Sequence, residues 1–309
     1  DKDYPKEIPG MEIDKDEYDG IKITRVKIRT KEAEEIMGKP IGNYISIEVP
    51  RLREKDIELQ ERVSKNFANE MKNIADLSSN TTTMVIGLGN WNITPDSLGP
   101  KTVEKLFITR HMIDKLEGEN EEKRFGSLCA FSPGVLGITG IESAEVIHGI
   151  VEKIKPDLVI AIDALAARDM SRVSTTIQIS NTGIHPGSGV GNRRMAITEE
   201  SLGVPVIAVG IPTVVDAPTM ANDTIDMLLD TLIAQTDEGS PFYNLLKQTD
   251  KGEKYKLIKE VSSPFIGNLM VTPTGIDTIV EDLSRVLAGG LNTSLHPGIT
   301  LDEVSQYLQ

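Results

Sequence analysis

The sequence predicts an α/β fold: three layers, with a mostly parallel twisted sheet, helices on both faces, and a small antiparallel β addition near the N-terminus. Three observations predict it. The run Leu158-Val159-Ile160-Ala161-Ile162 is apolar without alternation, the mark of a strand buried on both faces. From residue 83 onward, strand-type runs take turns with stretches of helical periodicity, which implies parallel strands joined by crossover helices. Two of those runs soon place a carboxylate where the apolar residues give out, at Asp96 and at Asp163. In an open parallel sheet the carboxyl ends of neighbouring strands form the cleft where ligands bind.

The elements follow in order. Residues 1–20 are charged and carry Pro5, Pro9 and Gly10, which predicts an extended N-terminal arm; residues 21–309 are expected to form one α/β domain. Ile21, Ile23, Val26 and Ile28 mark a strand, Lys31 to Met37 a short helix, and Tyr44, Ile45, Ile47 and Val49 a second strand. Residues 21–55 thus make the small antiparallel addition. Ile57, Val63, Phe67, Met71 and Ile74 line one face of a helix over about 56–77. Thr83 to Gly87 is a strand, and Val103, Leu106, Phe107, Ile108 and Met112 predict a helix over about 99–117. Leu128 to Phe131 is a short strand. Ala144, Ile147, Ile150, Val151 and Ile154 form a helix that Pro156 ends. Thr176 to Ser180 and Val206 to Gly210 are further strands, and Ile225, Leu228, Leu229 and Leu232 line the helix after Pro218. The polar stretch 235–254 reads as a mobile insertion. Ile276, Ile279, Leu283, Val286 and Leu287 predict a last long helix that stops before Gly289-Gly290.

Composition narrows the function. A formal net charge of −14 argues against direct nucleic-acid binding, because neutralising phosphates needs a basic surface. No apolar run reaches the ~18 residues of a membrane-spanning helix. The single cysteine, Cys129, cannot form an intramolecular disulfide; it fits a reducing compartment and reads as a core thiol.

Two carboxylates delivered from separate strands make an acid/base pair that can share a proton and activate water, so hydrolysis is the first chemistry to consider. Other chemistries find less support. Gly87-Leu88-Gly89-Asn90 lacks the third glycine of a dinucleotide fingerprint, since position 92 is Asn92, and no Gly-Lys-Ser/Thr follows. No Gly-x-Ser-x-Gly elbow occurs, and the histidines His111, His148, His185 and His296 show no zincin spacing. Asp96 reads equally well as a helix cap. Asp163 must be hydrogen-bonded, protonated, bound to metal or working, because an unpaired carboxylate in a buried strand is costly; Arg168 is a candidate salt-bridge partner. Asp216, before the helix at Pro218, reads as an N-cap. The segment from Gly183 to Arg194 carries Gly183, Gly187, Gly189 and Gly191 with Arg193 and Arg194, and reads either as a loop against a ligand or as a surface hairpin.

Several long motifs then point one way. Thr-Pro-Asp-Ser-Leu-Gly-Pro-Lys at 94–101, Phe-Ser-Pro-Gly-Val-Leu-Gly-Ile-Thr-Gly-Ile-Glu at 131–142 and Ala-Ile-Asp-Ala-Leu-Ala-Ala-Arg at 161–168 resemble the germination proteases of bacterial spores. So do Gly-Ile-His-Pro-Gly-Ser-Gly-Val-Gly-Asn at 183–192, Gly-Ile-Pro-Thr-Val-Val-Asp-Ala at 210–217 and Asn-Leu-Met-Val-Thr-Pro at 268–273. The resemblance implies an endopeptidase that degrades small acid-soluble spore proteins on germination, in the cytoplasm of the spore core. It implies an inactive homotetrameric zymogen, activated by removal of a short propeptide. The usual junction, of the Val-Arg-Thr-Asp-Leu-Ala type, does not occur here, so a mature or truncated form is expected. The family's two essential aspartates fall on Asp96 and Asp163. The loops at 131–142 and 183–192, with Gly134, His185 and Gly187, and Arg193 just beyond, are expected to hold the substrate.

Gly87-Leu88-Gly89-Asn90 followed by the acidic Asp96 before a helix also resembles the opening of hydrogenase-maturation endopeptidases, whose fold is expected to be similar. That supports an alternative, a metal-recognising enzyme in which Asp96 and Asp163 are ligands, with His185 the best candidate for a third. A non-enzymatic small-molecule binding protein is a further alternative. No ligand pair occurs at a recognisable local spacing, so no metal and no cofactor are expected.

Overall fold

The structure, a computed structural model, describes residues 8–75, 77, 81–113, 124–185, 195–236, 251–266 and 269–308. Among them nine strands form one mixed sheet: β1 (Met11–Tyr18), β2 (Ile21–Ile28), β3 (Gly42–Glu48), β4 (Thr82–Gly87), β5 (Ser127–Phe131), β6 (Leu158–Ala167), β7 (Thr176–Ser180), β8 (Val206–Asp216) and β9 (Met270–Val271). Their order is β1-β2-β3-β7-β8-β6-β4-β5, with β9 against β8. β8, β6, β4 and β5 are mutually parallel. β1, β2, β3 and β7 extend that parallel centre as an antiparallel wing.

The centre obeys the reasoning from apolar runs. Ile86 and Ile160 are fully buried and Ile207 is nearly so. The principal helices are α1 (Lys31–Met37), α2 (Ile57–Ile74), α3 (Leu98–Glu104), α4 (Ser143–Ile154), α5 (Ala217–Ala234), α6 (Lys251–Ile266), α7 (Ile276–Leu295) and α8 (Leu301–Leu308). One face of the sheet packs Ile160, Ile162, Val209 and Ile211 under α2, α3 and α7. The other packs Met84, Ile86, Val159 and Ala161 under α4 through Ile147 and Val151. This is the expected three-layer α/β arrangement.

Four expectations need correction. Residues 11–18 are not an extended arm but the strand β1, paired along its length with β2. The turn is Asp19-Gly20, with φ of 50° and 75°, the two-residue pattern that suits the twist of a hairpin. Arg25 on β2 reaches Asp14 at 2.8 Å and Asp16 at 2.6 Å, and grips Glu70 of α2 through both Nε (2.9 Å) and Nη2 (2.7 Å). The charges that suggested solvated coil therefore fasten the hairpin to the domain.

The helix expected over 99–117 stops at Glu104. Beyond it the backbone is claimed by Asn292 of α7, whose side chain accepts from Phe107 N at 2.9 Å and donates to Lys105 O at 3.0 Å. The last long helix does not stop at Gly289-Gly290 but runs through to Leu295. A Cβ on Gly290 would stand 2.4 Å from the Phe67 ring and 2.8 Å from Ser64 O. These glycines let α7 approach α2 rather than ending it. In the stretch expected as a mobile insertion, Gln235 is the C-cap of α5 and residues 251–254 open α6; residues 237–250 lie outside the described residues.

Candidate active site

β4 ends at Gly87, level with Ile162 of β6. β6 continues beside β8 to Ala167, with Asp163 opposite Gly210. Asp163 therefore lies inside its strand rather than at its end, and the strand end beside it belongs to β4. This is also where connections diverge: the chain leaves β4 for β5 on one side and leaves β6 towards β7 and β8 on the other. Such a switch point opens a crevice at the carboxyl ends of the strands. Asp163 is 7 % exposed there.

The loop after β4 brings Asp96 back to the same place. Leu88 N donates to Ile162 O at 2.8 Å. Gly89 follows with φ +118°, and a Cβ there would stand 1.9 Å from Asp96 O and 3.4 Å from the Asp96 carboxyl carbon. Only glycine allows that approach. Asn90 N donates to Asp96 O at 3.1 Å, Asp96 N to Ile93 O at 2.8 Å, and Asn92 N to the Asn90 side chain at 3.0 Å. Thr94–Asp96 is a 3₁₀ turn that lies against β6 and β8. Thr94 Oγ1 ties it to Asp277 at the start of α7 at 2.9 Å.

Gly99 completes the arrangement. A Cβ there would meet Leu88 O at 2.4 Å and Ile162 O at 2.6 Å, so the first turn of α3 rests on the ends of β4 and β6. The N-cap position of α3 is Ser97, and its hydroxyl donates to Thr94 O at 2.8 Å instead of capping the helix. Asp96 itself is half-buried, one residue before that cap position, in the turn that folds onto Gly89. Asp96 and Asp163 are brought to one strand end through the contacts of Gly89, Leu88 and Ile162.

The other candidates fall elsewhere. Asp216 is the N-cap of α5, accepting from Thr219 N at 2.7 Å and from Thr219 Oγ1 at 2.9 Å. Gly134 has φ +75° in the loop after β5, so it shares the carboxyl end of the sheet, one strand beyond β4. Its carbonyl accepts from Ser143 Oγ at 2.9 Å. β7 runs antiparallel to β8 and carries the chain towards the amino ends of the parallel strands. His185 follows β7 there, exposed, next to the isolated bridge between Ile184 and Ile197. Gly187 and Arg193 lie outside the described residues. Among the described residues no three His, Cys, Asp or Glu side chains converge as metal ligands. Cys129 is half-buried, its thiol 3.7 Å from Thr83 O, and burial pushes its pKa up.

Sequence reasoning passed over His296. It is fully buried. Gly126 N can only donate, so Nδ1 accepts at 3.2 Å and the ring proton sits on Nε2, 3.0 Å from Phe107 O. Burial lowers its pKa to about 4. It holds β5 and the Phe107 segment to the end of α7, away from the aspartates.

A protein-family model described as germination protease matches residues 1–249 and 234–308. The chain belongs to the germination protease family. Membership makes it an endopeptidase of spore germination. A germination protease of Caldanaerobacter subterraneus subsp. tengcongensis is 54 % identical over 307 residues, covering 98 % of this chain and 93 % of that one. The Clostridium tetani germination protease is 49 % identical over 302 residues, covering 98 % and 93 %. That of Bacillus subtilis is 44 % identical over 335 residues, covering 98 % and 90 %. Among solved structures, a NiFe hydrogenase maturation protease from Thermococcus kodakarensis aligns over 45 % of this chain and 78 % of its own, at 19 % identity and a TM-score of 0.29, too low to decide a fold. No helix among the described residues is long and apolar enough to cross a membrane.

Proposed function

We propose that this endopeptidase cleaves small acid-soluble spore proteins by activating water between Asp96 and Asp163. One carboxylate takes a proton from water as it attacks the scissile carbonyl. The other, protonated, donates a hydrogen bond to the carbonyl oxygen; when the tetrahedral intermediate collapses, the C–N bond breaks and the amine leaves with the proton first taken from water. Two carboxylates at one site cannot both ionise freely, so the pair shares a proton and titrates as a unit. The observation that carries the reading is the approach of the Asp96 turn, across Gly89, to the end of β4 beside Asp163.

Gly134, one strand away, holds the peptide backbone; His185, at the amino ends of the parallel strands, does not share the site. The enzyme works without a metal, in the cytoplasm of the spore core, as a homotetramer derived from a zymogen. The test is digestion of a purified small acid-soluble spore protein, followed by mass spectrometry, before and after dialysis against chelator. Discrete cleavage that survives chelation is expected. Intact substrate counts against the endopeptidase reading, and activity lost on chelation and restored by one divalent ion counts against the metal-free pair.

A further inference from the structure

The sheet leaves one strand edge open beside the candidate site. β4 pairs with β6 only as far as Gly87 and Ile162, while β6 continues against β8 from Asp163 to Ala167. Past Ile162 that strand has a neighbour on one side only. The ladder fixes which backbone groups face the empty side. Ile162 O accepts from Leu88 N on the β4 side, and Val159 N donates to Pro205 O on the β8 side. The N–H and C=O of one residue point the same way, and the direction alternates along a strand. Ala164 and Ala166 therefore turn theirs towards the lane that β4 vacates. The irregularity after Leu165 does not change this, because the pairing jumps from Pro212 to Val214 and the extra residue lies on β8. Among the described residues neither alanine meets a backbone partner on that side, and Ala164 to Ala166 are half-exposed. The Thr94–Asp96 turn touches β8 as well as β6, so it lies over their face and not in the lane.

The outer edges of the sheet are guarded. β1 carries Glu12, Asp14, Lys15, Asp16 and Glu17. β5 is covered at Leu128, whose carbonyl accepts from Thr109 N at 3.1 Å and whose N donates to Thr109 Oγ1 at 3.0 Å. Charges and covers of this kind keep a free edge from pairing with another chain. The tail of β6, Ala164-Leu165-Ala166-Ala167, has neither a charge nor a proline. Its lane is bounded on the far side by the loop after β5, which carries Gly134. At the head of the lane Gly89 turns the chain away and Asp96 returns. A strand lying there would have Asp163 alongside, at the cross-strand spacing of about 5 Å.

We propose that the substrate segment next to the scissile bond binds as an extended strand in this lane, its main chain hydrogen-bonded to Ala164 and Ala166. The inference rests on the endopeptidase reading and adds how the peptide is held. Cutting inside a chain needs a grip that does not depend on a terminus. Pairing to an open edge supplies one, because every residue except proline offers both a donor and an acceptor. Asp163 and the two alanines belong to one strand, fixed along its other side by β8. Register on that strand then sets where the scissile carbonyl stands relative to the Asp163 carboxylate.

The test uses a peptide from a small acid-soluble spore protein, with one backbone amide N-methylated at a time. With the wild-type enzyme, methylation should lower kcat/KM about 10- to 100-fold at alternate positions on one side of the cut and little at those between, the period of a strand paired along one edge. On the protein, Ala166→Pro removes an N–H that faces away from β8. Proline is tolerated where the N–H points out of the sheet, so Tm should stay near wild type while kcat/KM for the unmethylated peptide falls about 10-fold. A methyl scan without alternation overturns the lane, whatever the variant does. So does a folded Ala166→Pro with wild-type kcat/KM. If Ala166→Pro does not fold, the scan decides alone. Should the wild type cut no peptide, the endopeptidase reading fails, and the lane is judged by fluorescence anisotropy of the same peptides: an alternating loss of affinity sustains it, and equal affinity across the scan, or no binding, overturns it.

Discussion

Replacing Gly89 by Ala tests how Asp96 is held. At φ +118° a side chain is strained, and the new Cβ would sit 1.9 Å from Asp96 O. Holding the loop in place costs of order 1–3 kcal/mol for the backbone and roughly 1 kcal/mol for the hydrogen bond from Asn90 N, which must open. The chain can avoid part of this by moving the Thr94–Asp96 turn outward by about 1 Å, and a misplacement of that size costs on the order of 100-fold in rate. Steady-state cleavage of a small acid-soluble spore protein, run beside thermal melts, separates the two responses. We expect kcat to fall about 100-fold while Tm drops by roughly 3–6 °C, at about 1.5 °C per kcal/mol for a chain of 309 residues. Turnover within about twofold of wild type, with an unchanged Tm, would refute the claim that Gly89 sets the position of Asp96.

Other outcomes follow from the same contacts. Asp216→Ala removes the cap on Thr219 N and Thr219 Oγ1, so chemical denaturation should show a loss of about 1 kcal/mol with turnover largely kept; a collapse of turnover would move Asp216 into the site. His296 has its folded pKa lowered to about 4 from 6.5. Its contribution is therefore complete above pH 6.5 and declines as pH falls towards 4, by up to about 3 kcal/mol. His296→Gln should start less stable at pH 7 but lose Tm less steeply over that window, and parallel Tm-against-pH curves would sink the assignment.

Much of this was legible before any coordinates. Runs such as Leu158 to Ile162 announce themselves because burial on both faces removes alternation, and the expectation that Asp96 and Asp163 share a strand end came from where two such runs give out. What escaped depended on tertiary partners. The hairpin signal Asp19-Gly20 was present, yet the acidic residues around it suggested coil until Arg25 appeared as their counter-charge. The end of α3 is set by Asn292, far away in sequence, and no local pattern foretells it. Gly289-Gly290 reads as a helix stop because the closeness of Phe67 is invisible in one dimension. Asp163 appeared to end a strand because the apolar run ends there, while β6 keeps pairing with β8 for four more residues, to Ala167.

The most direct test of the central claim is the turnover of Asp96→Asn, Asp163→Asn and the double variant on a small acid-soluble spore protein, with circular dichroism confirming the fold. If the two carboxylates act as one proton-transfer unit, each single variant loses several orders of magnitude in kcat, and the double variant is scarcely worse than either. Wild-type-like turnover in either single variant, or losses that multiply in the double, would contradict the account.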